Sequence, residues 1–189
     1  MKNSRLAPSM MGIFFNICSF LILALPVWYF SDTQILKDAG LETKKEKQIL
    51  IHIFEHKKID EIADIYKSFD NILELEMLDI FNISIVISLF LSIFLILILL
   101  IAVIKNAPND GKLLSFAKGI SIINLAFTIT SLVLALIFTS NSEITLIDNH
   151  TETQTLSMNL SSGIYLFVIF NMASAFCGLV SPNLDEYPY

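Results

Sequence analysis

Four long stretches of the chain contain no charged residue, and they constrain its fold more than any other feature. Asp, Glu, Lys and Arg are absent from residues 6–31, 80–104, 119–142 and 153–184. Each stretch holds at least ~18 mostly apolar residues, about the length that an α-helix needs to cross the hydrocarbon core of a bilayer. Backbone polar groups must be paired within their own element in lipid, so such runs are expected to be helices.

Composition supports a membrane protein over a soluble one. Hydrophobic residues make up 54% of the chain and charged residues 16%, whereas a soluble domain is typically ~45–50% apolar and ~25% charged. The sequence therefore predicts an all-α membrane protein with one domain over residues 1–189. Its architecture is expected to be a four-transmembrane-helix bundle with a partly helical extracytoplasmic loop between helices 1 and 2. The predicted spans are Gly12–Phe30, Ile83–Ile104, Gly119–Phe138 and Gly163–Val180.

The first apolar run is interpreted as a retained helix and not as a cleaved signal peptide. Its apolar part extends from Met10 to Phe30, which is longer than the ~7–15 residues of a signal-peptide core. The run ends in aromatic residues, including Trp28 and Tyr29. Such residues are typical of the membrane–water interface.

The distribution of basic residues predicts that both termini are cytoplasmic. Basic residues occur near the N-terminus and in the second loop: Lys2, Arg5, Lys105, Lys112 and Lys118. The third loop, residues 139–162, and the tail have none. The first loop, residues 31–82, opposes this orientation with seven lysines. We prefer cytoplasmic termini because long loops are translocated largely regardless of their charge.

The first loop is predicted to contain an amphipathic helix outside the membrane. Its apolar residues recur at helical spacing: Ile59, Ile62, Tyr66, Phe69 and Leu73. Two interpretations remain open, since this face either packs on the protein itself or docks a partner. The preceding apolar segment Gln48–Phe54 is compatible with a short helix or a strand.

Small and hydroxyl-bearing residues line one face of several predicted spans. Side chains of this kind let helices approach closely and hydrogen-bond to one another. The predicted helix-packing residues are Ser84, Ser88, Ser92, Asn124, Thr128, Ser131, Ala173, Ser174, Cys177 and Gly178. Asn16 and Asn171 are also expected to face inward. The alternative to packed seams is a conduit lined by polar groups.

The spans contain no ionisable acidic, basic or histidine side chain. Proton pumps, ion-coupled transporters and voltage sensors need charge within the membrane, so these classes are disfavoured. A formal net charge of −6 also argues against a nucleic-acid partner. We predict a protein that is not an enzyme and has no cofactor, with the lipid bilayer as its first partner.

One short pattern raises the question of a metal site. The segment from His52 to His56 has the form H-x-x-E-H. On a helix, His52 and His56 would share a face and could bind zinc, with Glu55 as a general base. A zinc hydrolase needs a third ligand, and nothing fixes Glu74 or Glu76 in that place. A solvated charged face is favoured, so His52 and His56 are weak metal candidates and no catalytic residue is predicted.

Several apolar segments resemble the paraquat-inducible protein A family. In the fourth span they are Gly163-Ile164-Tyr165-Leu166-Phe167, then Met172-Ala173-Ser174, followed by Pro182. Near the first span they are Leu23-Ala24-Leu25-Pro26-Val27, followed by Ile49-Leu50-Ile51 with Phe54-Glu55. The chain lacks the paired N-terminal cysteines that often bind zinc in that family, because Cys18 and Cys177 fall in the first and fourth spans.

The resemblance implies a four-helix bundle of tetraspanin-like shape in a bacterial inner membrane. It also implies work beside lipid-transport proteins of the mammalian-cell-entry type in envelope maintenance. Our leading expectation is therefore a non-enzymatic inner-membrane protein with a role in lipid transport. The alternative is an accessory or assembly subunit, or an immunity-type protein, that binds a larger membrane complex through residues 31–82.

Overall fold

The computed structural model describes residues 6–38, 41–65, 75–104, 111–141, 143–148 and 152–180. This part of the chain contains α-helices and β-strands. The helices are α1 (Leu6–Ser19), α2 (His56–Ile65), α3 (Leu75–Ile104), α4 (Gly111–Asn141) and α5 (Ser162–Val180). The strands are β1 (Pro26–Asp38), β2 (Leu41–His52), β3 (Glu143–Asp148) and β4 (Glu152–Leu160).

Three helices are long and apolar enough to cross a membrane. The candidate spans are Leu78–Ile104 in α3, Ser115–Ser140 in α4 and Ser162–Leu179 in α5. They overlap the second, third and fourth spans expected from the sequence. The first apolar helix is shorter and covers Ala7–Leu23 when the 3-10 turn Phe20–Leu23 is included.

The first predicted span, Gly12–Phe30, is wrong in its last part. The helical segment ends at Leu23, and β1 begins at Pro26. Proline has no N–H to continue a helix, and it disfavours helical backbone in the residue before it. The residues that follow Pro26 are β-branched or aromatic, which suits a strand.

The all-α expectation is also wrong, because the strands form one antiparallel sheet with the order β2-β1-β4-β3. In the register of β1, Trp28 lies opposite Ile51 of β2 and opposite Leu160 of β4. Thr145 of β3 lies opposite Thr155 of β4. The β1–β4 pairing thus joins the connection after α1 to the connection after α4.

The chain divides into two compact units. The helical unit comprises Met1–Leu21, Ile83–Leu132 and Tyr165–Tyr189, and the sheet unit comprises Ile22–Asn82 and Val133–Ile164. Helices α3, α4 and α5 therefore contribute residues to both units.

One face of the sheet supplies the core of the sheet unit. Phe30, Leu156 and Met158 are buried, and they alternate with more polar neighbours as the two-residue period of a strand requires. The ring of Trp28 contacts those of Phe81 and Phe138, with centroids 5.0 and 5.1 Å apart. Aromatic pairs at this separation add stability beyond their buried area.

The predicted helix over Ile59–Leu73 is present in its first part as α2. Ile59 and Ile62 are each 3% exposed. Tyr66, Phe69 and Leu73 lie outside the described residues, so the docking role of this segment stays a prediction. The segment Gln48–Phe54 is a strand as far as His52.

Candidate functional sites

A network of uncharged polar side chains fills part of the helical unit, with Asn124 of α4 at its centre. The Asn124 side-chain amide donates to Asn171 Oδ1 of α5 at 3.0 Å and to Ser92 Oγ of α3 at 3.1 Å. The Ser88 hydroxyl of α3 donates to Asn124 Oδ1 at 2.6 Å. Asn124 therefore connects three helices, and none of these side chains is more than 2% exposed.

The other polar groups of this network are paired within the protein as well. Asn171 Nδ2 donates to the Phe167 carbonyl at 2.9 Å. Thr128 Oγ1 donates to the Asn124 carbonyl at 2.9 Å and lies 3.2 Å from Ser88 Oγ. Buried polar groups are costly unless they are hydrogen-bonded. These hydrogen bonds join polar side chains of α3, α4 and α5 to one another and to backbone carbonyls.

A second polar contact joins α1 to α5 in the helical unit. Asn16 Nδ2 donates to the Gly12 carbonyl at 2.8 Å and to Ser174 Oγ at 2.5 Å. The rings of Phe15 and Phe170 stack beside it, 6.4 Å apart. Asn16 Oδ1 is buried and has no hydrogen-bond partner among the described residues.

The remaining predicted helix-packing residues occupy several environments. Ser84 and Ser131 are buried, and Ser131 Oγ donates to the Phe127 carbonyl at 2.9 Å. Ala173 and Cys177 are half-buried. Gly178 is buried, and a β-carbon built there would lie 3.2 Å from the Ser121 β-carbon. Glycine at this position therefore permits a close approach of α5 to α4.

The H-x-x-E-H pattern does not form a helical metal site. His52 is the last residue of β2, and His56 is the first residue of α2. Phe54, between them, has a positive φ of 72°, so the backbone turns there and the two histidines do not share a helix face. No group of three or more His, Cys, Asp or Glu side chains is placed to hold a metal ion in the described residues.

Glu55 closes this turn between β2 and α2. The backbone amide of His52 donates to Glu55 Oε2 at 2.8 Å, and the Lys58 ammonium lies 2.9 Å from the same oxygen. Both interactions favour the ionised carboxylate. The pKa of Glu55 is therefore held below its ordinary value. The larger cause is the hydrogen bond from the His52 amide, and the second is the hydrogen bond from Lys58.

The sheet has a second, more polar face. In its register, Thr33, Thr155 and Thr145 lie opposite one another on three successive strands. The neighbouring edge strand β2 carries Glu46, whose pKa is lowered by the Gln48 amide and then by Lys44. An antiparallel sheet with one apolar and one polar face normally packs one side and leaves the other accessible.

Sequence reasoning did not identify the partners of the buried asparagines. Asn16 and Asn171 were expected to face inward, but their partners depend on how the helices are rotated against one another. The pairing of Gln154 Nε2 with Asp32 Oδ1 at 2.9 Å depends on the β1–β4 register. Asp32 is the first charged residue after the uncharged run 6–31. Nothing in that run predicts that the Asp32 carboxylate is buried.

Comparisons with known proteins assign no family to the chain: no protein-family model matches it, and no curated protein is significantly similar to it.

Proposed function

We propose that this protein is a non-enzymatic accessory or assembly subunit of a larger membrane complex. In this proposal four helices anchor the chain, and the sheet is the surface that meets the partner. The observation that carries the proposal is the β1–β4 pairing. It joins the connection after α1 and the connection after α4 into one sheet.

The length of the first apolar segment supports four spans. Its 14-residue helix and four-residue 3-10 turn give ~21 Å and ~8 Å of rise at standard geometry. The sum is close to the ~30 Å hydrocarbon core. The contacts of Asn16 and Phe15 with α5 also pair this segment with a candidate span.

Four spans would place both termini on the membrane side opposite the sheet. The connections after α1 and α4 share one sheet, so they must lie on the same side. The basic residues near the N-terminus and between α3 and α4 support a cytoplasmic location for those regions. With the family resemblance, this orientation is compatible with a bacterial inner membrane.

The polar interior supports a scaffold in preference to a transport path. Asn124, Asn171 and Ser88 hydrogen-bond to one another or to backbone carbonyls, so they hold the helices together. The lipid-transport role implied by the family resemblance stays a prediction. Lipid extraction from the purified protein tests it, and the absence of bound lipid would count against it.

The accessory role is tested by cross-linking in intact membranes followed by affinity purification. We expect Gln48→Arg with Thr145→Arg, two exposed positions on the polar face of the sheet, to lose a cross-linked partner that the unsubstituted protein retains. The matched control is Thr130→Val, an exposed position on α4.

A second variant, Tyr66→Asp with Phe69→Asp, tests the segment after α2 that the sequence predicted to dock. Loss of the partner only in this variant would move the docking surface away from the sheet. Retention of every cross-linked protein in both variants would contradict the accessory role.

A further inference from the structure

An exposed aromatic residue stands at the turn between β2 and α2. Phe54 is 56% exposed, and its φ of 72° lies in the left-handed region that bulky residues rarely adopt. A large apolar side chain is thus exposed at a position whose backbone conformation costs free energy. Residues held in sparsely populated backbone regions cluster at functional sites, where other structure maintains the strain.

Hydrogen bonds fix the position of this turn. The Glu55 amide donates to the His52 carbonyl at 3.2 Å, and the Lys58 amide donates to the Glu55 carbonyl at 3.0 Å. The His52 amide donates to the Glu55 carboxylate at 2.8 Å. The two bonds between His52 and Glu55 enclose the backbone of Phe54, and the bond from Lys58 to Glu55 begins α2.

The register of the sheet places the turn beside the ends of the candidate spans. His52 lies opposite Pro26, which follows the apolar segment ending at Leu23 by only three residues. Trp28 contacts Phe81 and Phe138, which lie near the ends of the spans Leu78–Ile104 and Ser115–Ser140.

The start of α5 lies against residues 26–28 of β1. A β-carbon built on Gly163 would lie 2.5 Å from the Pro26 carbonyl oxygen, and the Ser161 amide donates to the Val27 carbonyl at 2.9 Å. Segment 26–28 is therefore where the ends of four apolar helices meet within the sheet unit. Phe54 lies two residues beyond His52, the partner of Pro26, and therefore follows the strand residue that pairs with this segment.

We infer that the β2–α2 turn is a membrane-interface anchor, in which Phe54 inserts between lipid headgroups. Aromatic side chains favour this region because it accepts an apolar ring beside polar groups. Lys57, three residues later, is exposed and carries the charge that lipid phosphates attract. The occupant of this surface is the bilayer that already surrounds the spans.

The inference is tested on the full chain reconstituted in phosphatidylcholine vesicles. Trp28 is the single tryptophan and is 2% exposed, so it supplies a common background signal. Phe54→Trp adds a reporter at the turn. Lys45→Trp adds a matched reporter on exposed β2, seven residues before His52.

Lipids brominated near the headgroup end of their chains should quench the added fluorescence of Phe54→Trp, and aqueous acrylamide should quench that of Lys45→Trp. Equal access of acrylamide to both reporters would overturn the anchor. Equal quenching of both by brominated lipid would also overturn it, because the turn would then not differ from the rest of β2. Shielding of the Phe54→Trp reporter from both quenchers would also overturn the anchor, because the ring would then be covered by protein.

A second measurement needs no substitution. A photoactivated carbene probe dissolved in the bilayer should modify the tryptic peptide 48–57 at Phe54 and leave peptide 38–44 unmodified. Modification of neither peptide, with labelled spans in the same sample, would contradict the inference even if the tryptophan variants failed to fold.

Discussion

Asn124 is the residue at which the side-chain hydrogen bonds of α3, α4 and α5 meet. Asn124→Leu keeps an uncharged side chain but removes the donor to Asn171 Oδ1 and the acceptor for Ser88. Hydrogen bonds between helices in membranes contribute about 0.6–2 kcal/mol each. We expect a loss of about 1–2 kcal/mol, measured by denaturant titration in detergent.

The control for Asn124→Leu is Thr130→Val on the same helix. The Thr130 hydroxyl is exposed and donates only to the Ala126 carbonyl of its own helix. We expect this substitution to leave stability within about 0.5 kcal/mol. Equal destabilisation by both substitutions would mean that the network contributes nothing specific to the association of the helices.

Two glycines make a second comparison at the residue scale. A β-carbon at Gly163 would meet the Pro26 carbonyl oxygen at 2.5 Å, whereas one at Gly119 meets nothing within 4 Å. The obstacle at Gly163 is backbone and cannot rotate away. We therefore expect Gly163→Ala to lower the thermal midpoint, by a destabilisation of about 1–3 kcal/mol.

Gly119→Ala should be neutral or stabilising by up to about 1 kcal/mol, since alanine favours helix more than glycine does. Both midpoints are measured in the same detergent. A Gly163→Ala protein as stable as Gly119→Ala would show that the start of α5 does not approach Pro26 as closely as described.

At the scale of elements, the turn between β2 and α2 gives a pH-dependent prediction. The pKa of Glu55 is lower in the folded protein than its ordinary value, so the carboxylate stabilises the turn above the pKa of the unfolded chain. This contribution is lost as the pH falls through the lower, folded pKa. We expect the protection of the His52 amide against hydrogen exchange to decrease over that acidic range.

Glu55→Ala should remove the protection of the His52 amide against hydrogen exchange at neutral pH. The exchange of this amide should then no longer show the acidic transition. Glu61→Ala, at an exposed glutamate of the following helix α2, should leave both unchanged. An unchanged His52 protection factor in Glu55→Ala would show that the carboxylate does not hold the turn.

The sequence predicted best those helices that are identified by the length of an uncharged run. Helices α3, α4 and α5 follow from uncharged runs long enough to span a bilayer. The sheet was missed because β1 begins inside an apolar run, where Val27 and Phe30 resemble the end of a span. In β4, Leu156 and Met158 alternate with Ser157 and Asn159, a two-residue period that indicates a strand.

Side-chain partners could not be predicted, since they depend on strand register and helix rotation. The four-residue spacing of the serines of α3 predicts that they share one face, and Ser84, Ser88 and Ser92 are all buried. Their partner Asn124 lies on another helix, however, and sequence spacing does not determine the rotation of α4 against α3. The positive φ at Phe54 likewise has no local sequence signal, because glycine or asparagine is the usual residue there.

At the scale of the whole molecule, three helices are long and apolar enough to cross a membrane, and we propose that the shorter first apolar segment crosses it as well. The β1–β4 pairing requires the connections after α1 and α4 to share a side. Whether the short first segment crosses then decides where the N-terminus lies: opposite the sheet if it crosses, and beside the sheet if it does not.

The most direct test is the labelling of single cysteines with a membrane-impermeant maleimide. The background carries Cys18→Ala and Cys177→Ala, and the reporters are Ser4→Cys, Lys45→Cys and Asn109→Cys. In sealed vesicles of uniform orientation, we predict that Lys45→Cys is labelled from one side and that Ser4→Cys and Asn109→Cys are labelled only from the other. Labelling of Ser4→Cys from the same side as Lys45→Cys would contradict the four-span account.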